Sequence, residues 1–268
     1  PVSRGLGDVY KRQILFLSFL PNTALYASKP VDWQLGFQEP VTPIAKQIIE
    51  THDFMMYFMY GTVVFVLILL AYTCIKFSKK NNPNPSKTTH NTLLEIIWIT
   101  IPVIILVIVA IPSVKLIFFQ ERIPKADLTL KVVGRQWYWS YEYPDHNNIA
   151  FDSYMKKDEE LGPNEPRLLA TDNKVVLPIN SYIKVQVTAS DVIHNWAIPA
   201  FGTKIDAVPG RLNETWIYIE KPGTYYGQCS ELCGILHAFM PIEVKVVSKE
   251  QFAIWLKTAK EEFASNSN

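Results

Sequence analysis

Cysteine is scarce in this chain. Cys74, Cys229 and Cys233 are the only three among 268 residues, too few for a disulfide scaffold. A basic footprint is missing as well. The net charge is +1 and averages two unlike parts. Residues 1–119 carry ten Lys/Arg against six Asp/Glu, and residues 120–268 carry sixteen against nineteen. A mildly acidic C-terminal part argues against a nucleic-acid partner, which needs clustered positive charge. It leaves room for a basic protein partner. The third shortage is local: residues 54–75 and 96–114 contain no charge over 22 and 19 positions. Apolar side chains are plentiful instead, at 49% of the chain.

As helices, the two uncharged runs would be about 33 Å and about 28 Å long. That is enough to cross the hydrocarbon core of a bilayer. A buried helix of a soluble core is the competing reading, and the length of both runs disfavours it. The second run continues past Lys115 to Phe119; the lysine can snorkel toward the headgroups. Pro102 and Pro112 do not exclude a span, because membrane helices tolerate proline. The connection, residues 76–95, carries Lys76, Lys79, Lys80 and Lys87 and no acid before Glu95. The positive-inside rule makes that loop cytoplasmic. Residues 54–119 therefore read as a multi-pass transmembrane helical hairpin, with residues 28–53 exported ahead of it. Residues 1–27 read as a signal peptide: Lys11 and Arg12, a short apolar run from Ile14 to Leu20, then small residues ending at Ala27. Residues 1–13, which begin with Pro1 rather than Met, read partly as an artefact.

From Leu128 the texture changes. Residues 128–133, 181–188, 214–219 and 241–247 alternate apolar and polar positions, as half-buried β-strands do. Gly162-Pro163, Asn180-Ser181, Pro209-Gly210 and Pro222-Gly223 mark turns between such runs. Regularly spaced strands of this kind build a sandwich or a barrel. Residues 120–268 are thus expected to form one exported all-β domain. Its tail, 249–263, spaces Phe252, Trp255, Leu256 and Phe263 as an amphipathic helix with Ser248 as N-cap. Residues 152–166 are charged and read as an exposed loop.

The remaining cysteines carry the chemistry. In Cys229-Ser-Glu-Leu-Cys233-Gly-Ile-Leu-His237-Ala-Phe-Met240, thiol, imidazole and thioether recur within one short stretch. A disulfide is compatible with an exported domain. Zinc would require a second cysteine pair, which the sequence lacks. A lone catalytic thiol leaves the second cysteine without a role. Copper uses more of these residues at once: soft sulfur and borderline imidazole donors suit it, with a weak axial methionine. His194, on a separate segment, supplies a second imidazole. Cys74 lies in an apolar run and reads as a small helix-facing residue. His52, His90 and His146 have no matching ligand set.

This Cys–His–Met stretch resembles the binuclear copper A loop of cytochrome c oxidase subunit II. Three other segments resemble the same family: Gly134-Arg-Gln-Trp-Tyr-Trp-Ser-Tyr-Glu-Tyr143, Asp191-Val-Ile-His-Asn-Trp-Ala-Ile-Pro199 and Lys204-Ile-Asp-Ala-Val-Pro-Gly-Arg-Leu-Asn213. The resemblance implies a membrane-anchored fold, in which a two-helix transmembrane hairpin is followed by an all-β, cupredoxin-like Greek-key barrel. It implies that Cys229 and Cys233 bridge two copper ions and that His194 and His237 bind one each. Met240 and the backbone carbonyl of Glu231 are then the weak ligands. The Glu231 carboxylate would reach a magnesium ion shared with subunit I, since a hard oxygen suits magnesium. Trp137 matches the residue through which electrons arrive, Asp191 an acid in the cytochrome c docking face, and Glu95 the glutamate at the mouth of a proton channel. On the residues alone, Trp137 reads equally as a core aromatic, Asp191 as a surface acid and Glu95 as a solvated helix-start carboxylate. The implied partners are subunits I and III, cytochrome c and membrane lipid. The implied location is a bacterial inner membrane with the copper domain in the periplasm; a mitochondrial inner membrane fits the signal-like start less well. A nitrous oxide reductase copper domain lacks such a hairpin, and a quinol-oxidase subunit II lacks the copper ligands. A membrane-anchored copper carrier has no need of the aromatic segment or Glu231.

Overall fold

The computed structural model describes residues 27–264. The expected signal peptide lies outside them, save for its last residue. Two long helices, α1 (Pro43–Lys76) and α2 (Thr92–Glu121), lead into a β-domain closed by a C-terminal helix, α3 (Lys249–Ala264). None of the most apolar stretch of either long helix is buried inside the protein. These are not core helices of a soluble fold; their apolar surface needs a bilayer.

Helix α1 starts eleven residues before the uncharged run that announces it. Its start belongs to the β-domain rather than to the membrane. Thr42 caps it, accepting from Ala45 N at 3.0 Å, and Pro43 occupies the first turn, where a missing N–H costs nothing. The Thr42 hydroxyl also donates to Phe201 O at 2.7 Å. Val41, Ile44 and Ala45 are buried, and Lys46 pairs with Glu220. Gly202 (φ +66°) permits this docking: a Cβ there would meet Ala45 Cα at 2.8 Å. At 34 residues, α1 is about 51 Å long, more than a bilayer needs. Its first turns stand outside. Helix α2 is capped by the Asn91 side chain, which accepts from Leu94 N at 3.2 Å. It keeps Pro102 and Pro112 within its length. Its far end is tied to the β-domain by Trp216 Nε1 donating to Gln120 O at 3.1 Å.

The strands are β1 (Ala27–Ser28), β2 (Leu128–Arg135), β3 (Tyr138–Tyr143), β4 (Ile149–Ser153), β5 (Val175–Pro178) and β6 (Tyr182–Ala189). They continue with β7 (His194–Ile198), β8 (Thr203–Ala207), β9 (Asn213–Tyr218), β10 (Gly223–Cys229) and β11 (Pro241–Val247). They form two sheets, ordered β4-β3-β2-β6-β9 and β5-β11-β10-β7-β8, with β1 added beside β10. The expected all-β domain thus takes the form of a sandwich. Strand β2 alternates buried and half-buried residues along its length, the period of a sheet with one face inward. The two inner faces meet around Val132, Trp139, Tyr141, Trp196, Tyr225 and Val244, all within 1% exposure.

Sequence patterning misses β7 and β10 because their residues are buried almost throughout. A strand with both faces covered does not alternate. The charged 152–166 segment is less free than expected. Glu165 receives both Lys156 and Lys174, and Lys174 also reaches the buried Glu243 at 2.7 Å. Those lysines hold the Glu165 carboxyl down at about 2. Helix α3 begins as expected. Ser248 and Gln251 exchange side-chain and backbone hydrogen bonds at 3.2 Å in both directions, a capping box. Phe252 and Trp255 pack on Tyr143, and Phe263 on Phe151.

Candidate metal centre

Three stretches of chain deliver ligand side chains to one end of the sandwich. Strand β10 ends on Cys229, and the following loop turns back to bring Cys233, His237 and Met240 before β11 begins. His194 opens β7, which pairs with β10 through Trp196 opposite Cys229. The Cys229 and Cys233 sulfurs are 3.9 Å apart and both thiols are free. Cys229 Sγ lies 3.9 Å from His194 Nδ1 and 3.4 Å from Glu231 O. Cys233 Sγ lies 3.5 Å from His237 Nδ1 and 3.6 Å from Met240 Sδ. His194, Cys229 and Cys233 are buried, and their donor atoms fall within 4.8 Å of one another. Met240 is 1% exposed; His237 is half-buried at the rim.

A second layer fixes these donors. His194 Nε2 lies 2.8 Å from Asp191 Oδ1, so the ring turns Nδ1 toward the sulfurs. A carboxylate on the far nitrogen is the usual support of a metal-binding imidazole. Asp191 is fixed in turn by backbone N–H groups of Gln136 (2.6 Å) and Val192 (2.7 Å). The Gln136 side chain and the Trp137 indole both donate to Cys233 O, at 2.8 and 3.2 Å. The turn between β2 and β3 therefore clasps both ligand-bearing loops. Trp139 Nε1 reaches Met240 O at 3.4 Å, and its ring meets His194 edge-on at 5.9 Å between centroids. Gly134 leaves the space His194 fills: a Cβ there would come within 2.8 Å of the imidazole Cδ2.

Electrostatics separate the two thiols. Burial pushes Cys229 up, but hydrogen bonding with His194 and with the backbone at Asn195 and Glu231 outweighs it, leaving the thiol at about 7. Cys233 is pushed up to about 12 by burial and by the neighbouring charge on Cys229. Burial opposes charge on His194, yet Cys229 and Asp191 together raise its pKa. Asp191 feels the same burial and is lowered overall by His194 and the Val192 and Gln136 amides. Cys229 is thus the more readily ionised of the two thiols, and its charge discourages ionisation of Cys233. A bound cation would remove the cost of ionising the second, because metal binding displaces thiol protons.

The predicted residues divide clearly. His194, Cys229, Cys233, His237, Met240 and the Glu231 carbonyl are brought together, with Trp137 and Asp191 against them. The Glu231 side chain is exposed on the loop. Glu95 stands apart, exposed in the first turn of α2. Sequence reasoning missed Gly134, Gln136 and Trp139 as supports of the site. Gly134 carried a usable signal, since a glycine inside a strand marks a close approach.

Two family models match the chain. That of the cytochrome c oxidase subunit II transmembrane domain covers residues 30–116, and that of the periplasmic domain covers residues 128–247. A probable cytochrome c oxidase subunit 2 from Rickettsia bellii is 54% identical over 255 residues, 95% of this chain and 93% of the relative. This chain belongs to the cytochrome c oxidase subunit II family. It is therefore a component of that terminal oxidase. The cytochrome c oxidase subunit 2 of Phytophthora megasperma is 45% identical over 90% of this chain and 92% of its own. The crystal structure of the periplasmic domain of cytochrome oxidase subunit II from Bradyrhizobium japonicum aligns with a TM-score of 0.50. It is 58% identical, covering 53% of this chain and 99% of that one. The buried His/Cys cluster is compatible with the copper this family binds.

Proposed function

We propose that this chain takes electrons from cytochrome c and delivers them to haem in subunit I, where oxygen is reduced to water with proton pumping. The observation that carries this reading is the convergence of two free thiols, His194, His237 and Met240 beneath the Trp137 indole. The donor set fits copper: two sulfurs and two imidazoles are soft or borderline, with a buried thioether in reach. Cys229 and Cys233 would bridge a binuclear copper A centre, with His194 and His237 as terminal ligands. Met240 and the Glu231 carbonyl would be its weak ligands. Bound there, a copper pair supplies one-electron redox chemistry. The residues contribute rigidity. Asp191 fixes the His194 ring, and Gln136 and Trp137 fix the Cys233 carbonyl, so the ligand frame moves little when charge arrives.

Trp137 would be the point of electron arrival. Its indole hydrogen bond to Cys233 O gives a short covalent and hydrogen-bonded route from the protein surface to a ligand. Asp191 would serve both to orient His194 and to attract a basic cytochrome c, since its side chain keeps 30% exposure. The Glu231 carboxylate, exposed beside its own inward carbonyl, would hold magnesium at the boundary with subunit I. Glu95, at the opposite end of α2, would stand at the entrance of a proton channel. Subunit III would complete the assembly. The lysine-rich loop between the helices supports an inner-membrane hairpin with residues 76–95 in the cytoplasm and residues 120–268 in the periplasm.

Stopped-flow reduction of the purified oxidase by reduced cytochrome c tests the reading. Trp137→Phe should slow reduction strongly while leaving copper content unchanged. Unaltered reduction kinetics in that variant would remove Trp137 from the path.

A further inference from the structure

The end of α2 that meets the β-domain carries a groove of about 820 Å³. Its makeup differs from that of the rest of the helix. Lys115, Phe118 and Phe119 lie on one helical face, spaced i, i+3, i+4, and Arg122 follows at the helix end. Tyr182 and Trp216 of the β-domain close the other side. The floor is preformed. Trp216 is 4% exposed, bonded to Gln120 O at 3.1 Å, and edge-on to Phe119 at 5.3 Å between centroids. Phe118, by contrast, is 72% exposed. Among the described residues, neither Lys115 nor Arg122 forms an ion pair. Glu121 is the one acid on the rim.

We infer that this groove binds one anionic phospholipid of the adjoining leaflet. Its phosphate would sit between Lys115 and Arg122 against the rings of Phe118, Phe119 and Tyr182, and its acyl chains would run along the uncharged stretch of α2 that ends at Lys115. Three observations favour a lipid over a soluble phosphate or a protein. The groove begins where the uncharged window of α2 ends, so an acyl chain can follow the apolar helix. Aromatic rings cluster there, as they do at membrane–water boundaries. Two cations against one acid leave a net positive lip that matches a phosphodiester. The bound lipid would brace the joint between α2 and the β-domain, the same joint that Trp216 pins.

The test reconstitutes the full chain in phosphatidylcholine nanodiscs with a trace of photoreactive phosphatidylglycerol. Labelled peptides are then mapped. Adducts should concentrate on residues 115–124 and on the peptides holding Tyr182 and Trp216. Unlabelled phosphatidylglycerol should displace the tracer and inorganic phosphate should not. Each basic side chain near a membrane surface is worth about fivefold in anionic-lipid affinity, so Lys115→Gln with Arg122→Gln should weaken labelling about 25-fold. The charge-conserving pair Lys115→Arg with Arg122→Lys should restore most of it. Labelling spread evenly along both helices, or unchanged in the Gln pair, overturns the inference. So does displacement by phosphate alone. Cross-linking of these peptides to a neighbouring subunit in the assembled oxidase, without lipid adducts, also overturns it.

Discussion

Gly134→Ala adds one methyl group in the most crowded place beside the metal centre. The new Cβ would lie 2.8, 2.9 and 3.0 Å from His194 Cδ2, Cγ and Cβ. Carbon atoms in contact normally keep about 3.5–4.0 Å, so either the imidazole or strand β2 must retreat by roughly 0.7 Å. The imidazole has little freedom: Asp191 holds Nε2 at 2.8 Å, Trp139 stands against its edge, and the ring is fully buried. Strand β2 is fixed on both sides by β3 and β6. Overpacking of this kind costs about 1–3 kcal/mol, or about 2–12 °C in melting temperature for a domain of this size. Because the displaced group is a metal ligand, copper retention should fall further than stability does. Thermal unfolding of the metal-free and copper-loaded oxidase separates the two effects, with chelator competition giving the affinity. Gly36→Ala is the control, since nothing lies within 4 Å of its Cβ position. If Gly134→Ala leaves melting and copper retention at the Gly36→Ala values, the packing argument around His194 is wrong.

Asp191→Asn removes the charged acceptor from His194 and should lower copper affinity about 10–100-fold; chelator competition measures it, and an unchanged affinity contradicts the support role. Thr42→Ala deletes a cap that also ties α1 to Phe201 O, and should cost about 1–2 kcal/mol, read as faster amide exchange at Ala45. The pH dependence of melting tests the Lys156–Glu165–Lys174 cluster. Glu165 has its pKa lowered from 4.5 to about 2, so between those values the unfolded chain binds more protons and stability rises with pH. The contribution is complete above about pH 4.5 and lost as pH falls toward 2. Glu165→Gln should flatten that acid limb, and an identical acid limb in the variant would remove the cluster from the account.

The hairpin was legible because an uncharged run long enough to span a bilayer has few other uses. Its true start at Thr42 was not, because residues 43–53 belong to the helix through contacts with Phe201, Gly202 and Glu220, which lie far off in sequence. Strands β2, β6, β9 and β11 announce themselves by alternation, whereas β7 and β10, buried almost throughout, carry no such rhythm. The ligands were legible as rare residue types at close spacing. Their supports were not: the Gln136 and Trp137 bonds to Cys233 O cross nearly a hundred positions, and nothing local requires them. Asp191 was expected as a docking acid, and its bond to His194 adds a role that residue type alone does not suggest.

Electron paramagnetic resonance of the as-isolated oxidase, with copper counted per chain, tests the central claim most directly. The account predicts one unpaired electron shared over two copper nuclei, a signal lost in both Cys229→Ser and Cys233→Ser. A signal confined to one copper nucleus, or a site filled by zinc alone, would contradict it.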